Sequence, residues 1–229
     1  MNHPLDNPVW FSLVSRHAAL ARREGSAARY PADVAPFAAV DAVAANGADV
    51  SEQLAKITDA GESVLFVGCA PALDGREWKL EQLEHIGQFT CPARLAVRDG
   101  PPVVALSDAN TADVLDLTAR VYPHYFRPRT TSMGRYFGIY DGSKLAAITG
   151  ERMGFDGHVE LSAICTDPGY TGRGYAQRLV AMLANDILDQ GALPFLHVSH
   201  RNARAKALYE HMGFRQRADI GLLAATKLR

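Results

Sequence analysis

The densest chemistry in the chain lies in Ile164-Cys165-Thr166-Asp167-Pro168-Gly169-Tyr170-Thr171-Gly172-Arg173-Gly174-Tyr175-Ala176. The segment reads as the end of a strand, a tight turn and the start of an amphipathic helix. A helix start leaves backbone N–H groups unpaired and carries a partial positive charge. Gly172, Gly174 and the small Ala176 let an anionic group approach that backbone closely, which makes the segment a phosphate cradle by mechanism. The bland alternative is a glycine turn that merely connects strand to helix. A dinucleotide fingerprint would place a third Gly or Ala two residues after Tyr175. Gln177 stands there, and no typical acidic ribose partner follows about 20 residues on. A P-loop would need Gly-Lys-Ser or Gly-Lys-Thr, and neither is present.

One helix and one strand further on comes Asn202-Ala203-Arg204-Ala205-Lys206-Ala207-Leu208-Tyr209-Glu210-His211-Met212-Gly213-Phe214. A glycine loop after a strand, followed by Asn-x-x-Ala-x-x-Leu-Tyr and a later Gly-Phe, resembles the GCN5-related N-acetyltransferase (GNAT) superfamily, and within it the FR47-like branch. The resemblance runs from about Val103 to Arg229. It implies an α/β (α+β) fold: a mixed, mostly antiparallel central sheet, flanking helices, and a splayed pair of parallel strands that hold acetyl-coenzyme A. It also implies transfer of an acetyl group to a primary amine by direct attack on the thioester, with no metal and no covalent enzyme intermediate.

Carried over residue by residue, the resemblance assigns the splayed pair to His158–Thr166 and Pro194–Ser199. Ile164 and Thr166 offer backbone groups to the pantetheine arm, and an N–H near Ile164 holds the oxyanion. Gly172, Arg173, Gly174, Tyr175 and Ala176 cradle the pyrophosphate. The family prefers Gln or Arg where Thr171 stands, so the loop leans more on Arg173; Arg178 and Arg204 are further cationic candidates, or plain surface charges. Asn202 contacts the cofactor, caps the last helix, or does both. Tyr209 matches the family's general acid: a phenol with a pKa near 10 stays protonated at neutral pH and can neutralise a departing thiolate. Glu160 is the expected general base, an even number of residues before Ile164 and so on one strand face in the absence of a bulge. Glu151 is the rival, and a solvated charge is the alternative for either.

These residues need elements to hold them. Asp99-Gly100-Pro101-Pro102 breaks both helix and sheet and divides an N-terminal α/β region, 1–100, from the acetyltransferase-like region, 101–229. The first region, whose role the residues leave open, is compatible with a degenerate half of the same kind. It carries a short helix from Asp49 and strands at Ser63–Gly68 and Gln88–Cys91. In the second, Val103–Leu106 reads as a strand. Ser107 or Asp108 caps a helix with Val114, Leu117 and Val121 inward, ended by Pro123. A loop, His124 to Arg129, offers Tyr125 and Arg127 to the entrance of an acceptor site. Arg135–Tyr140 and Leu145–Arg152 form a hairpin about Asp141-Gly142, with a type I′ turn expected. A helix over about 174–190 buries Ala176, Leu179, Val180, Leu183 and Ile187 and stops at Gly191. A second, Asn202 to Met212, stops at Gly213. Two short strands, near Phe214 and over Leu222–Leu228, close the sheet.

Composition narrows the function classes. The 229 residues are 48% hydrophobic and 21% charged, enough for a sizeable core in one large domain or two small ones. A net charge of −1 supplies no global field for nucleic acid or an anionic membrane. No apolar run approaches the roughly 18 residues of a membrane span, and Met1–Leu13 lacks the charged start and apolar stretch of a secretion signal. Three scattered cysteines (Cys69, Cys91 and Cys165) make neither a disulfide frame nor a metal knuckle. The expectation is a cytoplasmic protein with reduced, buried thiols, a small-molecule or peptide amine as acceptor, no nucleic-acid or membrane partner, and homodimerisation left open. Rival readings are a non-catalytic acyl-coenzyme A-binding module, a dinucleotide oxidoreductase (opposed by Gln177), and a hydrolase built on His197, Ser199 and His200, which lacks a Gly-x-Ser-x-Gly elbow.

Overall fold

The computed structural model describes residues 3–121, 123 and 125–228. His124, expected at the acceptor entrance, lies outside the described residues, as do Met1 and Arg229.

The chain opens with a short helix, α1 (Pro8–Val14), and a small sheet of β1 (Arg22–Glu24), β2 (Ala27–Arg29) and β3 (Ala38–Val40). Next come α2 (Val50–Lys56), β4 (Ser63–Val67), β5 (Trp78–Thr90), β6 (Val104–Leu106) and α3 (Thr111–Val121). The remainder is β7 (Tyr136–Asp141), β8 (Lys144–Phe155), β9 (His158–Thr166), α4 (Tyr175–Asp189), β10 (Leu193–Ser199), α5 (Ala203–Met212) and β11 (Arg215–Lys227). Eight strands form one sheet in the order β4-β11-β5-β10-β9-β8-β7-β6. Its neighbours run antiparallel except β9 and β10, which are parallel.

The sheet is covered on both faces. On one, α4 lays Val180, Leu183 and Ile187 against Val159 and Leu161 of β9 and Leu196 and Val198 of β10. The apolar spacing of α4 follows the helical period, so this stripe was readable in advance. On the other face, Leu5 and α1's Val9 and Leu13 pack with Met153 and Phe155 of β8, Phe195 of β10 and Ile86 of β5. There, too, α3 sets Val114 and Leu117 against Ile148 and Cys165.

The turn at Asp99–Pro102 does not separate two sheets. β5, from the N-terminal region, is threaded between β10 and β11. It runs 13 residues, whereas the sequence suggested a strand only at its end. Lys79, Glu81, Glu84 and His85 give its outer half the look of a loop, and pairing with β11 rather than apolar content makes it a strand. The expected last two strands are one, β11, continuous through a bulge between Gln216 and Ala218. In the β7–β8 hairpin, Gly142 has φ +60° and Ser143 stays outside the positive region, the pattern of a type II′ turn rather than I′.

Candidate active site

β9 and β10 begin as a parallel pair and then part. Their register holds at Leu193–His158, Pro194–Val159 and Phe195–Glu160 and goes no further. Beyond Phe195, β10 pairs with β5 on its other side up to Ser199. Beyond Glu160, β9 continues to Thr166 against β8. The strands therefore leave a fork whose inner backbone edges face each other without a ladder. A bulge sharpens it. The β8–β9 register slips between Ile148 and Gly150, and Ala163 has φ +50°, the one non-glycine in the left-handed region among the described residues. A left-handed alanine costs on the order of 1 kcal/mol, so the surrounding sheet must enforce it.

Two cavities meet at this fork. The larger, about 520 Å³, lies on the α4–α5 face and is lined by Ile164, Thr166, Gly172, Gly174, Tyr175 and Ala176 together with Asn202, Arg204 and Tyr209. The smaller, about 250 Å³, opens on the other face, where Phe37, Glu84, Ile86, Tyr125, Arg152 and Ser199 are among its walls. Ile164, Asn202, Ala205 and Tyr209 line both. A long ligand can thus lie along the larger cavity and present its end through the fork to the smaller one.

The glycine loop is built as its residue types require. Gly172 and Gly174 have φ +81° and +79°, and Gly174 is the N-cap of the 15-residue α4, with no side chain capping that end. The first N–H groups of α4 therefore point at the larger cavity with the helix dipole behind them. Asp167 anchors the loop: Oδ1 accepts from the Gly169 N–H at 2.9 Å and Oδ2 pairs with Arg120 and Lys144. Its carboxyl is held at about 2, first by the Arg120 hydrogen bond, then by the Gly169 N–H and Lys144. No acidic side chain is among the described residues of the larger cavity, while Arg98, Arg204 and His211 are.

The arginines divide unevenly. Arg173 turns onto the ring of Tyr170 at 4.6 Å and is not among the cavity-lining residues. Arg178 donates from Nε to the Pro101 carbonyl at 3.0 Å and also to that of Arg98, bracing the Asp99–Pro102 turn. Arg98 Nη1 lies 2.5 Å from Gln177 Oε1 and close beside Gly174. Sequence reasoning passed over Arg98, because nothing local ties it to a loop some 75 residues later. The side chain of Asn202 caps α5, accepting from the Ala205 N–H at 3.1 Å, and the residue lines both cavities. Tyr209 is 6% exposed, tilts against Phe214 with ring centroids 5.8 Å apart, and faces the fork.

Glu160 does not reach the cavities. It is fully buried, with Oε1 2.6 Å from Arg152 Nη2 and 2.7 Å from His197 Nδ1, and Oε2 2.8 Å from Arg152 Nε and 3.2 Å from the Met153 N–H. Burial favours its neutral form, but Arg152, the hydrogen bonds and His197 outweigh it and hold the carboxyl at about 2. The expectation that Glu160 is the general base is corrected on both counts, access and proton affinity. The bulge explains the geometry: Leu161 and Ile164, three residues apart, pack in one cluster, so Glu160 and Ile164 lie on opposite faces despite their even spacing.

Glu151 is no better placed. It is 1% exposed, bound by Arg16 and Arg135, and outside both cavity linings. Cys165 lines the smaller cavity, but burial pushes its thiol up to about 12, which removes it as a nucleophile at neutral pH. The hydrolase residues are scattered among partners: His197 to Glu160, Ser199 to Glu84, His200 to Asp219. Tyr125 lines the smaller cavity; Arg127 does not. Among the described residues no group of three or more His, Cys, Asp or Glu side chains is arranged to hold a metal ion, and no helix is long and apolar enough to cross a membrane.

Comparison with known proteins finds related sequences and folds. Residues 136–220 match the family described as FR47-like protein. A structure from Novosphingobium aromaticivorans DSM 12444, assigned to the GNAT family, is 28% identical, superimposes with a TM-score of 0.88, and matches over 99% of both chains. A GCN5-related N-acetyltransferase from Kribbella flavida shares the fold at 15% identity, with a TM-score of 0.61 over 95% of each chain. A GNAT-family acetyltransferase from Colwellia psychrerythraea does so at 15% identity, with a TM-score of 0.52 over 72% of this chain and 65% of its own. No curated protein is significantly similar in sequence.

Proposed function

We propose that the chain is a member of the GNAT superfamily, in its FR47-like branch, and that it transfers an acetyl group from acetyl-coenzyme A to a primary amine. One observation carries the reading. A glycine-lined helix start and a forked parallel strand pair open into a single cavity whose far end is shared with a second, smaller one on the opposite face. In this reading the pyrophosphate lies on the N–H groups from Gly172 to Ala176, with Arg98 and Arg204 nearby. Arg173 contributes through the loop's shape rather than by contact. The pantetheine arm runs along Ile164 and Thr166, completing the ladder that β9 and β10 abandon, and Asn202 borders the arm where it enters the fork.

At the fork the amine attacks the thioester carbonyl. The developing oxyanion is stabilised by a backbone N–H near Ile164, a preorganised dipole in a water-poor site. Tyr209 gives its proton to the departing thiolate. The N-terminal region, 1–100, then serves as the acceptor-side wall: Phe37, Val67, Glu84 and Ile86 all line the smaller cavity.

Calorimetric titration with acetyl-coenzyme A, with NAD in parallel, tests the proposal. Micromolar binding of acetyl-coenzyme A alone, about −8 kcal/mol, is expected. Binding of NAD alone would return the glycine loop to the dinucleotide reading. Binding without turnover on any amine would favour the non-catalytic module.

A further inference from the structure

The smaller cavity has a carboxylate that the sequence did not single out. Among the described residues that line it, Glu84 is the single acidic side chain. It stands on β5, opposite Leu222 of β11 and two residues before Ile86, so Glu84 and Ile86 share the face turned into the cavity. Ser199 of β10 donates from Oγ to Glu84 Oε2 at 2.6 Å, fixing the carboxylate across the sheet. Arg201 contributes its backbone N–H to the same Ser199 oxygen at 3.2 Å. Glu84 is partly buried and, unlike Glu160, is not gripped by a bidentate arginine among the described residues. Phe37, Val67, Ile86 and Leu222 add apolar walls, and Arg152, whose guanidinium is paired with Glu160, lines the cavity too.

We infer that Glu84, positioned by Ser199, receives the ammonium of the acceptor and takes its proton, and that the acceptor is a compact primary amine with an apolar body. The inference rests on the acetyltransferase reading above and names the acceptor half of that site. The cavity, about 250 Å³, falls at or below the small end of ordinary ligand sites, about 300–1,000 Å³, which favours a compact group. Tyr125 closes the same cavity. Its phenol is raised by burial first and then by the Glu84 charge, so it stays a neutral donor beside the carboxylate.

The step balances. The ammonium gives one proton to the Glu84 carboxylate and gains a lone pair. The nitrogen forms the C–N bond, and the C–S bond breaks as the tetrahedral intermediate collapses. Tyr209 gives its proton to the thiolate sulfur and recovers the second proton released by the nitrogen. The proton on Glu84 passes to solvent, so one proton is released for each amide and thiol formed.

Two amines of similar size separate proton removal from mere shape. Phenethylamine is an ammonium at pH 7.5; O-benzylhydroxylamine is neutral there. Thiol release from acetyl-coenzyme A is followed for wild type, Glu84→Gln and Glu84→Asp, with acetyl-coenzyme A affinity measured for each. Glu84→Gln is expected to lower kcat/KM for phenethylamine about 100-fold or more and for O-benzylhydroxylamine less than about tenfold, with cofactor affinity within about twofold of wild type. Glu84→Asp should recover part of the phenethylamine activity. Equal losses on both amines, or none, overturn the inference. So does a wild type that binds acetyl-coenzyme A and acetylates neither amine. A wild type that fails to bind acetyl-coenzyme A overturns the underlying acetyltransferase reading instead.

Discussion

The carboxylate of Glu160 lies 2.7 Å from Nδ1 of His197, and the two residues stand on the two arms of the fork, Glu160 at the last paired position of β9 and His197 two residues beyond the last paired position of β10. On its other nitrogen, His197 Nε2 lies 2.9 Å from Gln88 Nε2. The Gln88 amide is itself oriented: its Nε2 donates to the Leu5 carbonyl at 2.9 Å and its Oε1 accepts from Arg217. His197 must therefore accept at Nε2 and donate from Nδ1 to Glu160. The network ties the root of the fork to four strands, β9, β10, β5 and β11, and to the segment that precedes α1.

Removing one charge from that network should cost stability more than chemistry. Glu160→Gln removes the carboxylate that faces the Arg152 guanidinium, in a site where the arginine side chain is only 10% exposed. Breaking a buried pair in this way costs about 3–5 kcal/mol, and replacing both partners recovers part of the loss. Urea unfolding of Glu160→Gln, Arg152→Met and the double variant checks this. A Glu160→Gln protein of wild-type stability would show that the pair holds nothing together.

Acid should loosen the N-terminal packing first. His17 accepts at Nδ1 from the Ser12 hydroxyl at 3.0 Å, to which Tyr30 in turn donates at 2.9 Å, and donates from Nε2 to the Met133 carbonyl at 2.7 Å. Burial brings its pKa from 6.5 down to about 4. The unfolded chain then binds a proton that the native state refuses, so stability is full above pH 6.5 and falls between there and pH 4, by about 1.4 kcal/mol per unit and about 3 kcal/mol in all. Glu160, depressed from 4.5 to about 2, adds a second loss below pH 4.5. Urea midpoints against pH should show both, and His17→Gln should flatten the first.

Tyr209→Phe keeps the ring packed on Phe214 and removes the hydroxyl proposed as the proton donor. The expected result is a kcat lower by about 10²–10³, with acetyl-coenzyme A affinity within about twofold. Steady-state kinetics and calorimetry on one preparation separate the two. An unchanged kcat would leave Tyr209 as a wall residue.

The two loop glycines should respond differently to alanine. At Gly172 the added methyl meets nothing within 4 Å, so the cost is the left-handed backbone alone, about 1–2 kcal/mol. At Gly174 the same cost is joined by a contact 3.0 Å from Arg98 Nη1. Gly174→Ala should therefore weaken acetyl-coenzyme A binding more than Gly172→Ala, as calorimetry would show.

Arginine substitutions should sort by position and not by distance along the chain from the loop. Arg98→Ala and Arg204→Ala should each weaken acetyl-coenzyme A by about two- to fivefold at low salt, less at high salt, the worth of an exposed ion contact. Arg173→Ala, whose guanidinium stacks on Tyr170, should change affinity less than twofold. A titration series at two ionic strengths distinguishes them.

The glycine loop, the stripe of α4, the cap at Asn202 and the position of Tyr209 were all legible in the residues, because each follows from a local rule. A left-handed turn needs glycine, a buried helix face repeats every 3.6 residues, and an asparagine suits an N-cap. The expectation for Glu160 failed because it rested on strand alternation, and the bulge at Ala163 is a property of β8 and β9 together. Glu84 and Arg98 escaped notice for a related reason. Each looks like a solvated charge in its own neighbourhood, and each gains meaning from partners more than 75 residues away in sequence, Ser199 for one and Gln177 for the other. The sheet runs across the division expected at 99–102, since strand order is decided by pairing between distant segments and β5 pairs with β10 and β11. The larger cavity was thus readable from the chain alone, because its glycine loop and helix start are contiguous backbone. The smaller cavity was settled by tertiary structure, since its walls come from β5, β10, β11 and the chain around α3 and meet only when the sheet closes.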